Sequence, residues 1–260
     1  MSKSRKKQRT KNDPTIVIVD GDNLFTSLNL QFNIKVYDLM ALIEYIIGNA
    51  RNLTRIVNSD KRTFGPIILI ISEKIDHKAK MEQNFFLGKL KEQSYGQIDI
   101  LIIKPKMIGG NLVSWTDMDV GVFLGMALGK DNSIIKRIVL ISGDSDFKRV
   151  FRWSGVPAQK KISLVCVKGT DSSELKKSVL DLKGEVFVIS RDRIIKTDSD
   201  GSITKKDGQI KGLKEIPQSN LRMISNQWKY SRKKDKKKRS GNKRVGNAVD
   251  NSGTSKKKRR

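Results

Sequence analysis

Six aspartates of this chain fall where an apolar run gives way to a turn or a helix. They are Asp20 and Asp22 in VIVDGDNLF, Asp117 and Asp119 in TDMDVGVFLGMAL, and Asp144 and Asp146 in LISGDSDF, with the amide of Asn23 beside the first pair. Three or four carboxylates converging in one cleft repel one another, and their pKa values rise unless a hard divalent cation holds them ionised. Mg2+ or Mn2+ suits such a set, because Mg2+ takes oxygen ligands, keeps several waters and typically uses one or two carboxylates together with substrate phosphates. A metal held this way activates water and stabilises the leaving oxygen of an in-line phosphoryl displacement, most strongly as a pair about 3.5–4 Å apart.

Each acid alone also has a plainer role. Asp22 and Asn23 suit the turn that ends a strand, since Asx side chains bond to nearby backbone amides. Asp117 suits the N-cap of its helix, and Asp144 and Asp146 suit the start of theirs. The pairing of two clusters on one edge of a sheet favours a site over caps.

That edge follows from the order of elements. TIVIV, PIILIIS, IDILIIK, KRIVLIS, KISLVCV and EVFVIS read as strands, and between them lie helical stretches over 36–48, 76–93 and from Asp117, followed by FKRVFRWS and SSELKKSVLDL. KPKMIGGNLVSW reads as a loop, and KTDSDGSITKKDGQIKG as a small hairpin or loop. Alternating strands and helices with continuously apolar strands predict an α/β fold: a parallel sheet covered by helices on both faces. Ligands of such sheets bind outside the carboxyl ends of the strands, where DGDN and GDSDF both fall.

Charge divides the chain into parts. The formal net charge is +26; residues 1–12 carry six Lys/Arg and no acid, and residues 228–260 carry fifteen Lys/Arg against Asp235 and Asp250. Both ends lack apolar periodicity and are expected to be disordered when free. The expected organisation is a basic arm over 1–12, a domain over 13–192, a small extension over 193–227 and a basic tail over 228–260. A polyanion is the expected partner of the tails, because neutralised phosphates release counterions and give salt-dependent, sequence-independent affinity. RNA or DNA is favoured over an anionic membrane surface or a purely solubilising role.

One cysteine, Cys166, excludes an internal disulfide and a cysteine-rich zinc site, and one histidine, His77, excludes a His-rich centre. Cys166 lies in an apolar run and is expected in the core; His77 opens a polar helix and is expected at the surface. No apolar run reaches membrane-spanning length, and nothing behind the basic N-terminus resembles a signal peptide. A soluble intracellular protein is expected, cytoplasmic in a prokaryote and nuclear or nucleolar in a eukaryote. The sequence is compatible with a monomer or a homo-oligomer.

VIVDGDNLF, MDVGVFLGMAL and LISGDSDFKRV together resemble the three signatures of the NYN domains, a branch of the PIN-like nucleases that includes the protein-only RNase P enzymes. The resemblance spans roughly 13–193 and is most specific in LISGDSDF. It implies a PIN-like, Rossmannoid fold and a Mg2+- or Mn2+-dependent ribonuclease acting on RNA. Matched residue by residue, it implies catalytic and metal-binding roles for Asp20, Asp119, Asp144 and Asp146, with Asn23 as amide partner and Asp22 and Asp117 in support. Residues two apart on a helix point roughly 200° away from each other, which agrees with choosing one of Asp117 and Asp119 and leaves Asp117 as a cap or just outside the site. The chain departs from the family at Gly125, where a second aspartate is usual. One carboxylate is therefore expected to be missing.

Lys148, Arg149 and Arg152 suit a phosphodiester clamp or a solvated basic face. Lys104 and Lys106 flank the loop before the central acid, and Trp115 suits either stacking on an unpaired base or anchoring the loop. Two other functions fit parts of the pattern. A haloacid-dehalogenase-like phosphatase would use Asp20 as nucleophile and Asp22 as acid/base, but Leu24 and Lys148 stand where that family differs. A catalytically inactive NYN-fold RNA-binding or assembly protein would keep the fold and bind through its tails.

Overall fold

The computed structural model describes residues 13–32, 39–47, 53–57, 63–94, 97–129, 132–153, 160–190, 193–198 and 203–207. The expected arm over 1–12 and tail over 228–260 lie outside them.

In chain order the elements are β1 (Thr15–Asp20), α1 (Gly21–Phe32), α2 (Leu39–Ile47), β2 (Ile56–Val57), β3 (Thr63–Phe64), β4 (Ile67–Ser72), α3 (His77–Gln93), β5 (Ile98–Ile103), β6 (Lys106–Ile108), β7 (Asn111–Val113) and α4 (Thr116–Leu128). There follow β8 (Arg137–Ile141), a 3-10 turn at Ser145–Phe147, α5 (Lys148–Trp153), β9 (Lys161–Val167), α6 (Ser173–Asp181), β10 (Glu185–Ser190), β11 (Arg193–Thr197) and β12 (Ile203–Asp207).

Eight strands form one sheet in the order β12-β11-β10-β9-β8-β1-β4-β5. The pairings from β5 through β10 are parallel, and β11 and β12 close one side antiparallel. Counted along the chain, the parallel strands follow the doubly wound order 3-2-1-4-5-6. The order reverses between β1 and β8, and the crevice at their carboxyl ends is the topological switch point of the sheet.

Strand alternation sorts side chains into two cores. Val17 and Val19 of β1 pack with Leu24 and Leu28 of α1, Leu42 and Ile43 of α2 and Leu87 and Leu90 of α3. Ile16 and Ile18 face the other way, against Val120 and Leu124 of α4, Phe151 of α5 and Leu175 and Val179 of α6. All four β1 residues are fully buried, each contributing about 1.5–3 kcal/mol of hydrophobic transfer free energy. β1 is thus held on both faces and both edges, which fixes where its last residue, Asp20, stands.

Several expectations change. Residues 21–32 form a helix, and the helix expected over 36–48 is described from Leu39 to Ile47. KPKMIGGNLVSW contains a hairpin, β6–β7, because Gly109 and Gly110 take φ of 58° and 81°, the left-handed pair that a two-residue hairpin turn requires. The stretch after Arg193 supplies β11 and β12, which join the main sheet through β10. The sheet therefore continues beyond the expected boundary at 192, with β12 ending at Asp207. His77 is exposed and opens α3, whose N-cap is Asp76; Cys166 is buried and its thiol is pushed up to about 12 by that burial. No helix among the described residues is long and apolar enough to cross a membrane.

Candidate functional site

Asp20 is the last residue of β1 and is 1% exposed. Its Oδ1 accepts from the backbone N–H of Asn23 at 3.1 Å, a cap on the first turn of α1, and its Oδ2 accepts from the Ser142 hydroxyl at 2.8 Å. Burial pushes the Asp20 carboxyl from its ordinary value of 3.8 up to about 6; the two hydrogen bonds pull against this, and the charges of Asp117 and Asp22 add to the rise.

The loop after β8 closes around the same point. Ser142 Oγ accepts from the Asp144 amide at 3.1 Å, and the Gly143 amide donates to Asn23 Oδ1 at 2.8 Å. A side chain at Gly143 would put its Cβ 2.6 Å from the Thr170 carbonyl oxygen, so glycine is needed for this approach. Asp144 caps the 3-10 turn by accepting from the Asp146 amide at 2.9 Å. Capping and membership of an acidic cluster are thus combined in the same residues.

Asp22, in the first turn of α1, faces β4. Its Oδ2 accepts from the Ser72 amide at 2.9 Å and from the Ser72 hydroxyl, which also touches the Ser114 hydroxyl. Ser72 is the last residue of β4, and Ser114 lies between β7 and α4. The end of β4, the start of α1 and the approach to α4 are therefore linked by one chain of polar contacts.

The central acid is Asp117. Its carboxyl is raised by partial desolvation first, then by Asp144, Asp22 and Asp146 in that order, and it in turn raises Asp20. Asp117 thus interacts with Asp20, Asp22, Asp144 and Asp146. The sequence reading put Asp119 in this place and left Asp117 as a cap or just outside the site; Asp117 makes no cap hydrogen bond, and its charge is one of those that act on Asp20. The N-cap of α4 is Trp115, with no side-chain cap hydrogen bond. α4 begins one residue before Asp117, so the roughly 200° between positions two apart turns Asp119 away when Asp117 faces the switch point. Asp119 is not among the charges acting on Asp20 or Asp117. Gly125 lies eight residues, about 12 Å along a helix, beyond Asp117 and belongs to a different part of α4.

Basic residues flank the acids on the carboxyl edge. Lys104 and Lys106 follow β5 and are exposed, as is Trp115 at 43%. Lys104 also lies near enough to Glu73 to help Lys80 hold that carboxyl below its ordinary value. On the other side Arg149 and Arg152 are exposed on α5, whereas Lys148 forms an ion pair with Glu174 of α6. Lys148 is therefore committed within the fold, while the two arginines face solvent.

The donor chemistry of the cluster fits a hard divalent cation: every acid is an oxygen donor, and burial first, then mutual repulsion, raises two of them. Among the described residues, however, no three His, Cys, Asp or Glu side chains are gathered closely enough to hold a metal ion. Sequence reasoning missed Ser72, Ser114 and Ser142, which position the acids. The signal of Ser72 and Ser142 was legible in IILIIS and VLIS, two apolar runs that each end in serine beside β1.

No protein-family model matches the chain, and no curated protein matches it. Among solved structures it is similar to a protein of unknown function from Vibrio parahaemolyticus, at 16% identity and a TM-score of 0.47, over 70% of this chain and 96% of that one.

Proposed function

We propose that this chain is a metal-dependent ribonuclease of the PIN-like, NYN type, hydrolysing RNA phosphodiester bonds with Mg2+ or Mn2+. The observation that carries the reading is the placement of strand-end acids at the switch point of a doubly wound sheet, where the Ser142 hydroxyl ties Asp20 to the Asp144 loop and Asp117 stands near enough to add to the rise of Asp20. A crevice used for nucleotide phosphates is ordinarily lined by glycines and backbone amides. Here it is lined by carboxylates, which repel phosphate unless a cation lies between them.

When bound, Mg2+ or Mn2+ supplies positive charge against the phosphate and lowers the pKa of its water. The chain's own residues do the positioning. Asp20 is fixed by Ser142 and the Asn23 amide, and Asp144 is tied to the same hydroxyl, so the two acids are held in register. Arg149 and Arg152 on one flank and Lys104 and Lys106 on the other neutralise flanking phosphates, and the basic arm and tail raise the local concentration of RNA. Asp22 Oδ2 is occupied by Ser72, which weighs against its serving as the mobile acid/base of a phosphatase.

The test is cleavage of a labelled single-stranded or structured RNA by the purified full chain in Mn2+ or Mg2+, alongside Asp146→Asn. Cutting by the wild type, and binding without cutting by the variant, is the expected result. Equal inertness of both, with RNA binding retained, supports a non-catalytic RNA-binding protein instead.

A further inference from the structure

The β6–β7 hairpin stands apart from the main sheet as its own two-stranded pair. Met107 is paired directly across from Leu112, and Ile108 across from Asn111, so the Met107–Leu112 pair occupies one face and Ile108 the other. All three are strongly exposed, at 66%, 49% and 48%, as is Trp115 at 43% just beyond the hairpin. A short hairpin with apolar residues exposed on both faces does not stabilise itself. It projects contact area for something else.

The surroundings identify that partner by charge and place. Lys104 and Lys106 stand exposed at the base of the hairpin. The segment leads directly into the acidic cluster: Ser114 touches Ser72, which holds Asp22, and Trp115 is the N-cap residue of the helix that carries Asp117. Apolar faces next to lysines, at the rim of a site for phosphate chemistry, match a strand that carries flat bases and phosphates together. A duplex hides its base faces in the stack and presents phosphates and groove edges. An unpaired strand exposes them.

We propose that the hairpin and Trp115 form a stacking lip for unpaired RNA bases next to the scissile phosphate, a proposal that rests on the RNA reading above. Met107, Leu112 and Trp115 take base faces, and Lys104 and Lys106 take the adjoining phosphates. The lip selects single-stranded over duplex RNA independently of the tails, which bind both.

Binding of the full chain to single-stranded RNA and to a duplex of equal length, in EDTA so that nothing is cut, tests this. Met107→Ser/Leu112→Ser/Trp115→Ala, checked for an unchanged melting temperature, weakens single-strand binding roughly tenfold or more and leaves duplex binding within about twofold, since the tails bind as before. Photo-crosslinking of wild type to 4-thiouridine RNA, which needs no variant, places crosslinks on the 106–115 segment. Equal losses for both RNAs, no loss for either, or crosslinks only elsewhere overturn the proposal. So does a change in sedimentation mass without a change in the single-strand to duplex ratio, which makes the hairpin a contact between copies. If the wild type binds neither RNA, the RNA reading falls with it; if it binds both and the variant matches it, only the lip falls.

Discussion

Ser142 joins Asp20 to the loop after β8 with one hydroxyl, which donates to Asp20 Oδ2 at 2.8 Å and accepts from the Asp144 amide at 3.1 Å. The bond opposes the rise that burial imposes on Asp20. Ser142→Ala therefore raises the Asp20 pKa further and costs about 1–2 kcal/mol of stability. Denaturant titrations at several pH values measure both effects, and a variant as stable as wild type with an unshifted pH profile contradicts this role.

The pH dependence of Asp20 has a definite sign. Its carboxyl is raised on folding from 3.8 to about 6, so the native state favours the protonated form. The stability it contributes is fully present below about pH 4 and is lost as pH rises through about 6. Asp20→Asn keeps an acceptor without the charge, and stabilises the metal-free protein at pH 7 by about 1–3 kcal/mol. The difference vanishes below about pH 4. Melting curves in EDTA across that range check it; an Asn variant less stable than wild type at pH 7 contradicts it. Adding Mn2+ reverses the order, because only the wild type gains a ligand that binds the native state.

Gly143→Ala places a Cβ 2.6 Å from the Thr170 carbonyl oxygen. The loop must move, disturbing the Gly143 amide bond to Asn23 and the placement of Asp144. A loss of about 1–3 kcal/mol, with impaired cleavage, is expected in thermal melts and RNA assays. Wild-type behaviour in both would show that the loop yields without consequence.

Residues 228–260 carry fifteen Lys/Arg. Deleting them weakens RNA binding and lowers the slope of log affinity against log salt by about 0.7 for each phosphate of a single strand that the tail no longer neutralises. Filter binding at several salt concentrations reads the slope, and an unaltered slope would remove the tail from the interface.

Much of the fold was legible because each parallel strand is a largely apolar run and most of the helices between them read as helical stretches, though α1, which follows β1 with no break, was not read. The span of α3 was placed to within a residue, since Asp76 caps it and the apolar spacing ends at Gln93. The hairpins were harder. Met107 and Leu112 point to solvent, so no burial pattern marked β6 and β7, and their signal was Gly109–Gly110 alone. β11 and β12 are rich in lysine and turn residues, and pairing with β10 holds them in the sheet. In the site, Asp20 and the GDSD loop were legible as strand-end acids. The choice between Asp117 and Asp119 was not: it depends on where α4 starts, and a shift of one residue rotates a helix by about 100°. With Thr116 as first residue, Asp117 is the acid coupled to the cluster.

That choice offers the most direct measurement. RNA cleavage in Mn2+ is compared for wild type, Asp117→Asn and Asp119→Asn, with RNA binding in EDTA as the control. The wild type is expected to cut, Asp117→Asn to lose on the order of 100-fold or more in rate, the scale of removing one preorganised electrostatic group, and Asp119→Asn to stay within a few-fold, all three binding alike. Full activity in Asp117→Asn, or no metal-dependent cutting by the wild type, would contradict the account.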